Sequence, residues 1–348
     1  MNAKKAHSKV AKRGDLSEVE AEELFKLLIV DENIPESLVG GILTAFRMKG
    51  ESASEIIGLV GAIRSLGGYP MKNTNEHLMD ICGTGSDGAS TVNISTACAF
   101  VLAAAKGCLP VAKHCGGSSS GGSGSLNVLQ ELGVVIATRR EEAETHLKEH
   151  HVCFLDASAF HPILKRIGGI RKQLGIGTIF NLAMPFCNPL GPRTQLIGIA
   201  GENMLDLIGA TGGLMGNLQT VAMHDSTGTD EAIPGGWTHA NRYTYKGGLI
   251  RADVGGYGHH WYDDRYGAAG LSKVDPVELR VANAFESAHR IRAFLDGEMG
   301  ALRDTVLLNA GIALCVGGAV AASHEGVQYA RELIDGGLAK EVFESMLK

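Results

Sequence analysis

Asp80-Ile81-Cys82-Gly83-Thr84-Gly85-Ser86-Asp87-Gly88-Ala89-Ser90-Thr91-Val92-Asn93-Ile94-Ser95-Thr96 is the stretch that decides the fold. A short apolar run, LMDIC, reads as a strand and feeds directly into a glycine loop. A helix is expected to begin near Asn93. Strand, glycine loop and helix in that order point backbone N–H groups and a helix N-terminus at an anion. Gly83, Thr84 and Gly85 would shape the cradle, and Ser95 and Thr96 would add hydroxyl donors. Asp87 would repel a phosphate unless a divalent cation or a sugar hydroxyl lay between them. The loop lacks the GK[ST] ending of a Walker A loop and the GxGxxG spacing of a dinucleotide turn. A bare glycine turn with ordinary capping is the bland alternative, and the polar residues around it favour phosphate.

The same grammar continues on either side. LPVAK (109–113), VVIA (134–137), VCFLD (152–156), QLIGIAG (195–201) and LQTVAMH (218–224) are short, apolar and bounded by Gly or Pro. Helical patterns such as ISTACAFVLAAAK and RREEAETHLKEH lie between them. Strands alternating with helices predict an α/β fold with a central, largely parallel sheet covered on both faces. Before residue 77 the pattern is helical. Ser17 with Glu20 spells a capping box, Pro35 opens a second helix that Gly50 ends, and Ser52 or Ser54 caps a third. Residues 280–347 read as at least three further helices. The expected division is a disordered basic tail (1–15), a small helical lobe (16–76) and an α/β lobe (77–348).

Three more places carry chemistry. Lys113 ends a strand on the edge where open α/β sheets bind ligands, and it would supply a cation to phosphate. His114 follows it, and then a Ser/Gly tract that includes Ser120. That tract sits inside a βαβ unit, so a ligand loop is favoured over a linker. Asp230-Glu231 follows another strand, and adjacent carboxylates there suit Mg²⁺ better than acid–base catalysis. Arg171 would clamp a carboxylate if context placed it in a site. His146, His150 and His151 read as a solvated helix face, NPLGPR (188–193) as a rigid turn, and the aromatic stretch 257–264 stays open between a ligand site and a surface loop.

Composition narrows the class. The 348 residues carry 32 Lys+Arg against 38 Asp+Glu, a net charge of −6, which argues against nucleic acid or an anionic membrane as partner. The longest apolar run, about 15 residues from Asn309, is too short to span a bilayer. Seven cysteines, an odd number without a CxxC, fit free thiols in a reducing, cytoplasmic setting.

Taken together, DICGTGSDGASTVNIST, Lys113-His114, FHPILKRIGGIRKQLGIGTIFNLAMPFCNP, Asp230-Glu231 and RDTVLLNA (303–310) resemble the anthranilate phosphoribosyltransferase family from about residue 17 to the C-terminus. The resemblance implies the nucleoside phosphorylase class II type of fold, with a site between the lobes. It implies a homodimer made through the helical lobe, which part of 160–195 would join. It implies transfer of 5-phosphoribose from phosphoribosyl pyrophosphate (PRPP) to the amine of anthranilate, a step of tryptophan biosynthesis. Gly83, Thr84, Gly85, Asp87, Asn93, Ser95, Thr96, Lys113 and Ser120 would hold PRPP. Ser95, Asp230 and Glu231 would hold two Mg²⁺ ions. His114, Gly116, Arg171 and Pro185 would face the acceptor, and no protein nucleophile is needed.

The acceptor side departs from the family pattern. Where the family reads KHGNR, this chain reads Lys113-His114-Cys115-Gly116-Gly117; GPLxNP becomes Met184-Pro185-Phe186-Cys187-Asn188-Pro189; and the arginine of RTIFN is Gly177. A changed, larger aromatic acceptor is therefore expected beside conserved sugar-phosphate machinery. The competing classes are a non-catalytic relative that binds nucleic acid and a pyrimidine nucleoside phosphorylase. The acidic balance weighs against the first and the Asp230-Glu231 pair against both.

Overall fold

The structure, a computed structural model, describes residues 2–69, 74–85, 88–117, 124–244, 248–254 and 270–348, with 249–254 as backbone alone. Four helices come first: α1 (Ala3–Ala11), α2 (Glu18–Val30), α3 (Glu36–Lys49) and α4 (Ala53–Gly67). The expected capping box at Ser17 forms, and Ser52, not Ser54, caps α4 with a second one. Ser17 Oγ accepts from the Glu20 N–H (3.2 Å) while Glu20 accepts from the Ser17 N–H (3.0 Å), and Ser52 and Glu55 repeat the exchange. Glu55 is fully buried, where it accepts from the Leu16 N–H at 2.9 Å and meets Lys49 Nζ at 2.9 Å.

The expected disordered tail is a helix instead. Asn2 caps α1 by accepting from the Lys5 N–H at 2.8 Å, and Ala3, Ala6 and Val10 are buried. These apolar positions follow helical spacing but are small and set among lysines, so the segment reads as polar. Packing, not propensity, holds it.

The second layer is a seven-stranded sheet in the order β3-β2-β1-β4-β5-β6-β7. Its strands are β1 (Asn75–Gly83), β2 (Val111–Cys115), β3 (Val152–Asp156), β4 (Pro192–Gly198), β5 (Gln219–Asp225), β6 (Thr238–Thr244) and β7 (Gly248–Val254). The first five are parallel, and β6 and β7 pair antiparallel at one edge. VVIA is not a strand: Val134 and Ala137 make only single bridges, to Leu347 and Leu155. The run passes beside the chain's C-terminus instead of entering the sheet.

Side chains alternate across the sheet, as the pleat requires. Leu196 and Val221 face a core shared with α5 (Ile94–Ala104), α12 (Ala284–Leu295), α13 (Ala301–Val316), α14 (Ser323–Asp335) and α15 (Leu338–Ser345). Ile197 and Ala222 face a second core that unites α1–α4 with α9 (Lys165–Leu174), α10 (Ile179–Ala183) and α11 (Leu205–Leu214). α6 (Ser125–Leu132), α7 (Arg140–His150) and α8 (Ala157–Phe160) complete the helices used here. Arg64, almost wholly buried in α4, donates to the Phe186 carbonyl, and Arg166 in α9 donates to the carbonyls of Leu28, Asp31 and Ile34. The helical lobe is thus stitched to the segment that follows β3.

Chain connections run outward from β1 to β2 and β3 on one side and from β4 to β5 on the other. The strand order therefore reverses between β1 and β4, and a crevice opens there beyond the carboxyl ends of the strands.

Gly58 sits where α4 crosses α2. A Cβ there would lie 2.5 Å from the Glu18 carbonyl oxygen and 2.6 Å from Ala21 Cβ. Gly58→Ala is expected to lower stability by about 1–3 kcal/mol through overpacking, measured as a lower urea midpoint at unchanged m-value.

Candidate active site

Gly83 and Gly198 end β1 and β4 directly opposite each other across the crevice. Neither residue leaves room for a side chain. A Cβ on Gly83 would meet Asp230 Oδ2 at 2.2 Å, and one on Gly198 would meet the Asp230 carbonyl oxygen at 1.6 Å. The two glycines therefore form a seat that admits Asp230. Gly85 N–H donates to Asp230 Oδ2 at 2.9 Å, and Thr84 N–H donates to the Gly198 carbonyl at 2.8 Å. Asn309 on α13 pins the acidic loop from behind: it accepts from the Ala232 N–H (3.0 Å) and donates to the Ala232 carbonyl (2.7 Å).

Lys113 stands beside this seat, 2% exposed. Its Nζ donates to the Ile81 carbonyl at 2.8 Å and to Ser95 Oγ at 2.9 Å. The fully buried Asp80 faces it from β1, and burial raises that carboxyl to about 6 against the pull of Asn188 and Lys113. Asn188 Nδ2 bridges Asp80 Oδ2 (3.0 Å) and the Ala112 carbonyl (2.7 Å), so the NPLGPR turn is fixed to β1 and β2. Asn93 precedes α5 and exchanges hydrogen bonds with Ser287 of α12 at 3.1 and 3.0 Å.

Across the crevice lie the groups expected to face an acceptor. Arg171 on α9 donates from Nη2 to Asn181 Oδ1 at 2.9 Å and stacks over the Phe180 ring at 5.4 Å. Its Nε has no protein partner, and burial lowers the guanidinium to about 10, so it remains charged at neutral pH. His114 Nδ1 lies 3.3 Å from the Met184 carbonyl, which assigns the proton to Nδ1 and leaves the Nε2 lone pair without a protein partner. His161, 2% exposed, meets His114 edge-on at 5.1 Å, and neither of its ring nitrogens has a well-aligned hydrogen bond. Burial pushes His114 down to about 3 and His161 down to about 4, so both rings are neutral at physiological pH.

One cavity of about 890 Å³ runs between these two walls. It brings together Gly83, Thr84, Gly85, Asn93, Ser95, Lys113, His114, Gly116, Arg171, Pro185, Asp230 and Glu231. Thr96 is fully buried and not among the lining residues. Asp87, Ser120 and the stretch 257–264 lie outside the described residues. Sequence reasoning passes over His161, Ser158, Lys165 and Lys172, all of which line the cavity. The FHP and KR pairs in the 160–172 block are visible in the chain, but nothing local places them beside β2.

The donor wall offers hard oxygen ligands: the Asp230-Glu231 carboxylates with the Ser95 hydroxyl on the same cavity wall. Among the described residues no cluster of three or more His, Cys, Asp or Glu surrounds a metal position. That set is right for Mg²⁺, which takes one or two carboxylates and completes its shell with substrate phosphate oxygens and water. It is too sparse for a dedicated protein cage.

A crevice at the strand-order reversal, floored by a glycine loop, a buried lysine and a carboxylate pair, and faced by a half-buried guanidinium, defines a transferase for a phosphorylated, anionic donor. The comparisons agree. Residues 75–340 match the "Glycosyl transferase family, a/b domain" and residues 4–67 the "Glycosyl transferase family, helical bundle domain". An anthranilate phosphoribosyltransferase of Bacillus thuringiensis is 40% identical over 320 residues, covering 91% of this chain and 90% of that protein. The crystal structure of the anthranilate phosphoribosyltransferase of Thermus thermophilus superposes with a TM-score of 0.82 at 29% identity, covering 98% of each chain. The Saccharomyces cerevisiae enzyme, solved in complex with PRPP and Mg, shares the fold with a TM-score of 0.82 at 22% identity, covering 99% of this chain and 96% of that one. The chain belongs to the anthranilate phosphoribosyltransferase family.

Gly83→Ala forces the new methyl against Asp230 Oδ2. The variant is expected to lose about a hundredfold in turnover while its urea midpoint changes little, which separates displacement of the carboxylate from unfolding. A second outcome concerns acid stability. The unfolded His161 takes up a proton near pH 6.5, the folded one only near 4. Between these values the unfolded state binds more protons, so this residue makes stability fall as pH falls. Asp80, with its folded carboxyl raised, works in the opposite direction between about 3.8 and 6. Urea midpoints of His161→Gln at pH 7.5 and 5 should therefore differ less than those of the wild type.

Proposed function

We propose that this protein transfers 5-phosphoribose from PRPP to the amine of anthranilate or a related aromatic acid and releases pyrophosphate, in the manner of tryptophan biosynthesis. The observation that carries the reading is the seating of Asp230 between Gly83 and Gly198 on one wall with the half-buried Arg171 on the other. The first suits a metal–pyrophosphate and the second a carboxylate.

In this reading the C1–O bond to pyrophosphate breaks as the C1–N bond forms, and the amine gives up a proton to solvent. Asp230, Glu231 and Ser95 would hold Mg²⁺, two ions in all, which when bound would supply positive charge against the departing pyrophosphate. Lys113 adds a fixed cation on that side, and the N–H groups of the 83–85 loop add donors. Arg171 takes the acceptor carboxylate and so fixes the amine in line with C1, which is where most of the rate gain lies. The neutral rings of His114 and His161 accept hydrogen bonds from the amine without charging it. An arylamine is already unprotonated at neutral pH, so no strong base is required. The protein works as a cytoplasmic homodimer joined through its helical lobe.

Pyrophosphate release should require PRPP, Mg²⁺ and an aromatic amino acid together. Asp230→Asn should cut kcat by about a hundredfold or more, and Arg171→Ala should raise the acceptor KM with little change in the PRPP KM. Calorimetry showing no PRPP binding in the presence of Mg²⁺ would remove the transferase reading in favour of a non-catalytic binder.

A further inference from the structure

We propose that the acceptor wall is shaped for an aromatic amino acid larger than anthranilate that carries a second anionic group. The inference deepens the transferase reading and rests on it.

The first support is space without a structural reason. Gly116, Gly117 and Gly168 all line the cavity. A Cβ on any of them would meet nothing within 4 Å, and none has a left-handed φ. Neither a turn nor a close approach therefore requires glycine at these positions. Gly168 is the more telling case, because it lies inside the ten-residue helix α9, where glycine is a poor helix former. What the three glycines leave is open volume on both sides of the acceptor position.

The second support is charge. Lys165, Gly168, Arg171 and Lys172 recur along one face of α9 and all line the cavity. The bare backbone at Gly168 thus forms a floor between cations that are about 9 Å apart along the axis, from Lys165 to Arg171. Among the described residues neither lysine is paired with a carboxylate. Among the described residues both acidic residues of the lining, Asp230 and Glu231, belong to the donor wall. One carboxylate needs only Arg171; a shelf with further cations beyond a glycine gap has capacity for a second.

The third support is the unfilled polar interior. His161 is buried, lines the same cavity and, among the described residues, approaches the Cys187 backbone without a well-aligned hydrogen bond at either ring nitrogen. A buried polar group of this kind is expected to be satisfied by a ligand or water.

The test compares kcat/KM for anthranilate with that for 2-aminoterephthalate and 4-aminoisophthalate, which are anthranilate with one more carboxylate, by pyrophosphate release. At least a tenfold preference for a dicarboxylate is expected. The double variant Lys165→Ala/Lys172→Ala should reduce that ratio tenfold or more. Gly168→Leu should depress the dicarboxylate more than anthranilate, while Gly168→Ala, which favours the helix, controls for folding. Equal or better use of anthranilate, with the lysine variant affecting all acceptors alike, overturns the inference and leaves the transferase reading intact. PRPP binding without turnover of any of the three also overturns it. Absence of PRPP binding removes the transferase reading itself.

Discussion

Everything on the donor side depends on two glycines that face each other across the gap between β1 and β4. Gly83 and Gly198 are in register, and each lies too close to Asp230 to carry a methyl group. A parallel sheet whose order reverses leaves a crevice at that point. Here the acidic loop after β5 drops against the two strand ends and floors that crevice. Asp230 closes the gap by accepting from the Gly85 N–H, so the anion loop and the carboxylate pair hold one another in place. Each element has a second tie: Asn181 donates to the Thr84 carbonyl at 3.3 Å, and Asn309 holds the backbone of Ala232.

That arrangement requires a balance of buried charge. Asp80 and Lys113 lie under the site on adjacent strands, both almost fully buried. An isolated buried lysine would tend to lose its proton, and an isolated buried aspartate would take one up. Here burial raises the Asp80 carboxyl against the pull of Asn188 and Lys113, while Lys113 Nζ donates to the Ile81 carbonyl and to Ser95 Oγ. Asn188 also ties the turn after Pro185 to the same strands, so the donor cation and the acceptor-side turn share one support. The two walls are therefore registered through β1 and β2 as well as across the cavity.

The sequence was most legible where local chemistry dictates local structure. The Ser17–Glu20 box, the strand ending at Gly83, the strand carrying Lys113 and the strand before Asp230 can be read without knowing the fold. It was least legible where packing decides. α1 hides its buried face behind small residues, and VVIA has a strand's composition but makes only single bridges, from Val134 to the chain terminus and from Ala137 to β3. His161 is the clearest case at the site. Nothing in FHPIL marks an imidazole that will meet His114 at 5.1 Å, because that approach is set by how β2 and the segment after β3 lie together. Thr96 shows the converse: its place in the first helical turn suggests a donor, but a helix turns about 100° per residue, and that rotation sends Ser95 to the cavity and Thr96 to the core.

The acceptor wall hangs on a different body from the donor wall. α9 is fastened to the helical lobe by Arg166, whose guanidinium takes three carbonyls near the end of α2 and the start of α3. Arg64 on α4 fastens the Pro185 turn in the same way through the Phe186 carbonyl. Lys113, the glycine loop and Asp230 belong to the sheet. In-line transfer depends on sub-ångström alignment of an amine and an anomeric carbon, and here those two atoms would be positioned by separate lobes. The alignment is then set jointly by these arginine–carbonyl bonds, by Asn188, which ties the Pro185 turn to β1 and β2, and by the packing of Ile197 and Ala222 against the helical lobe, so residues far from the reacting atoms carry part of the geometry of the reaction.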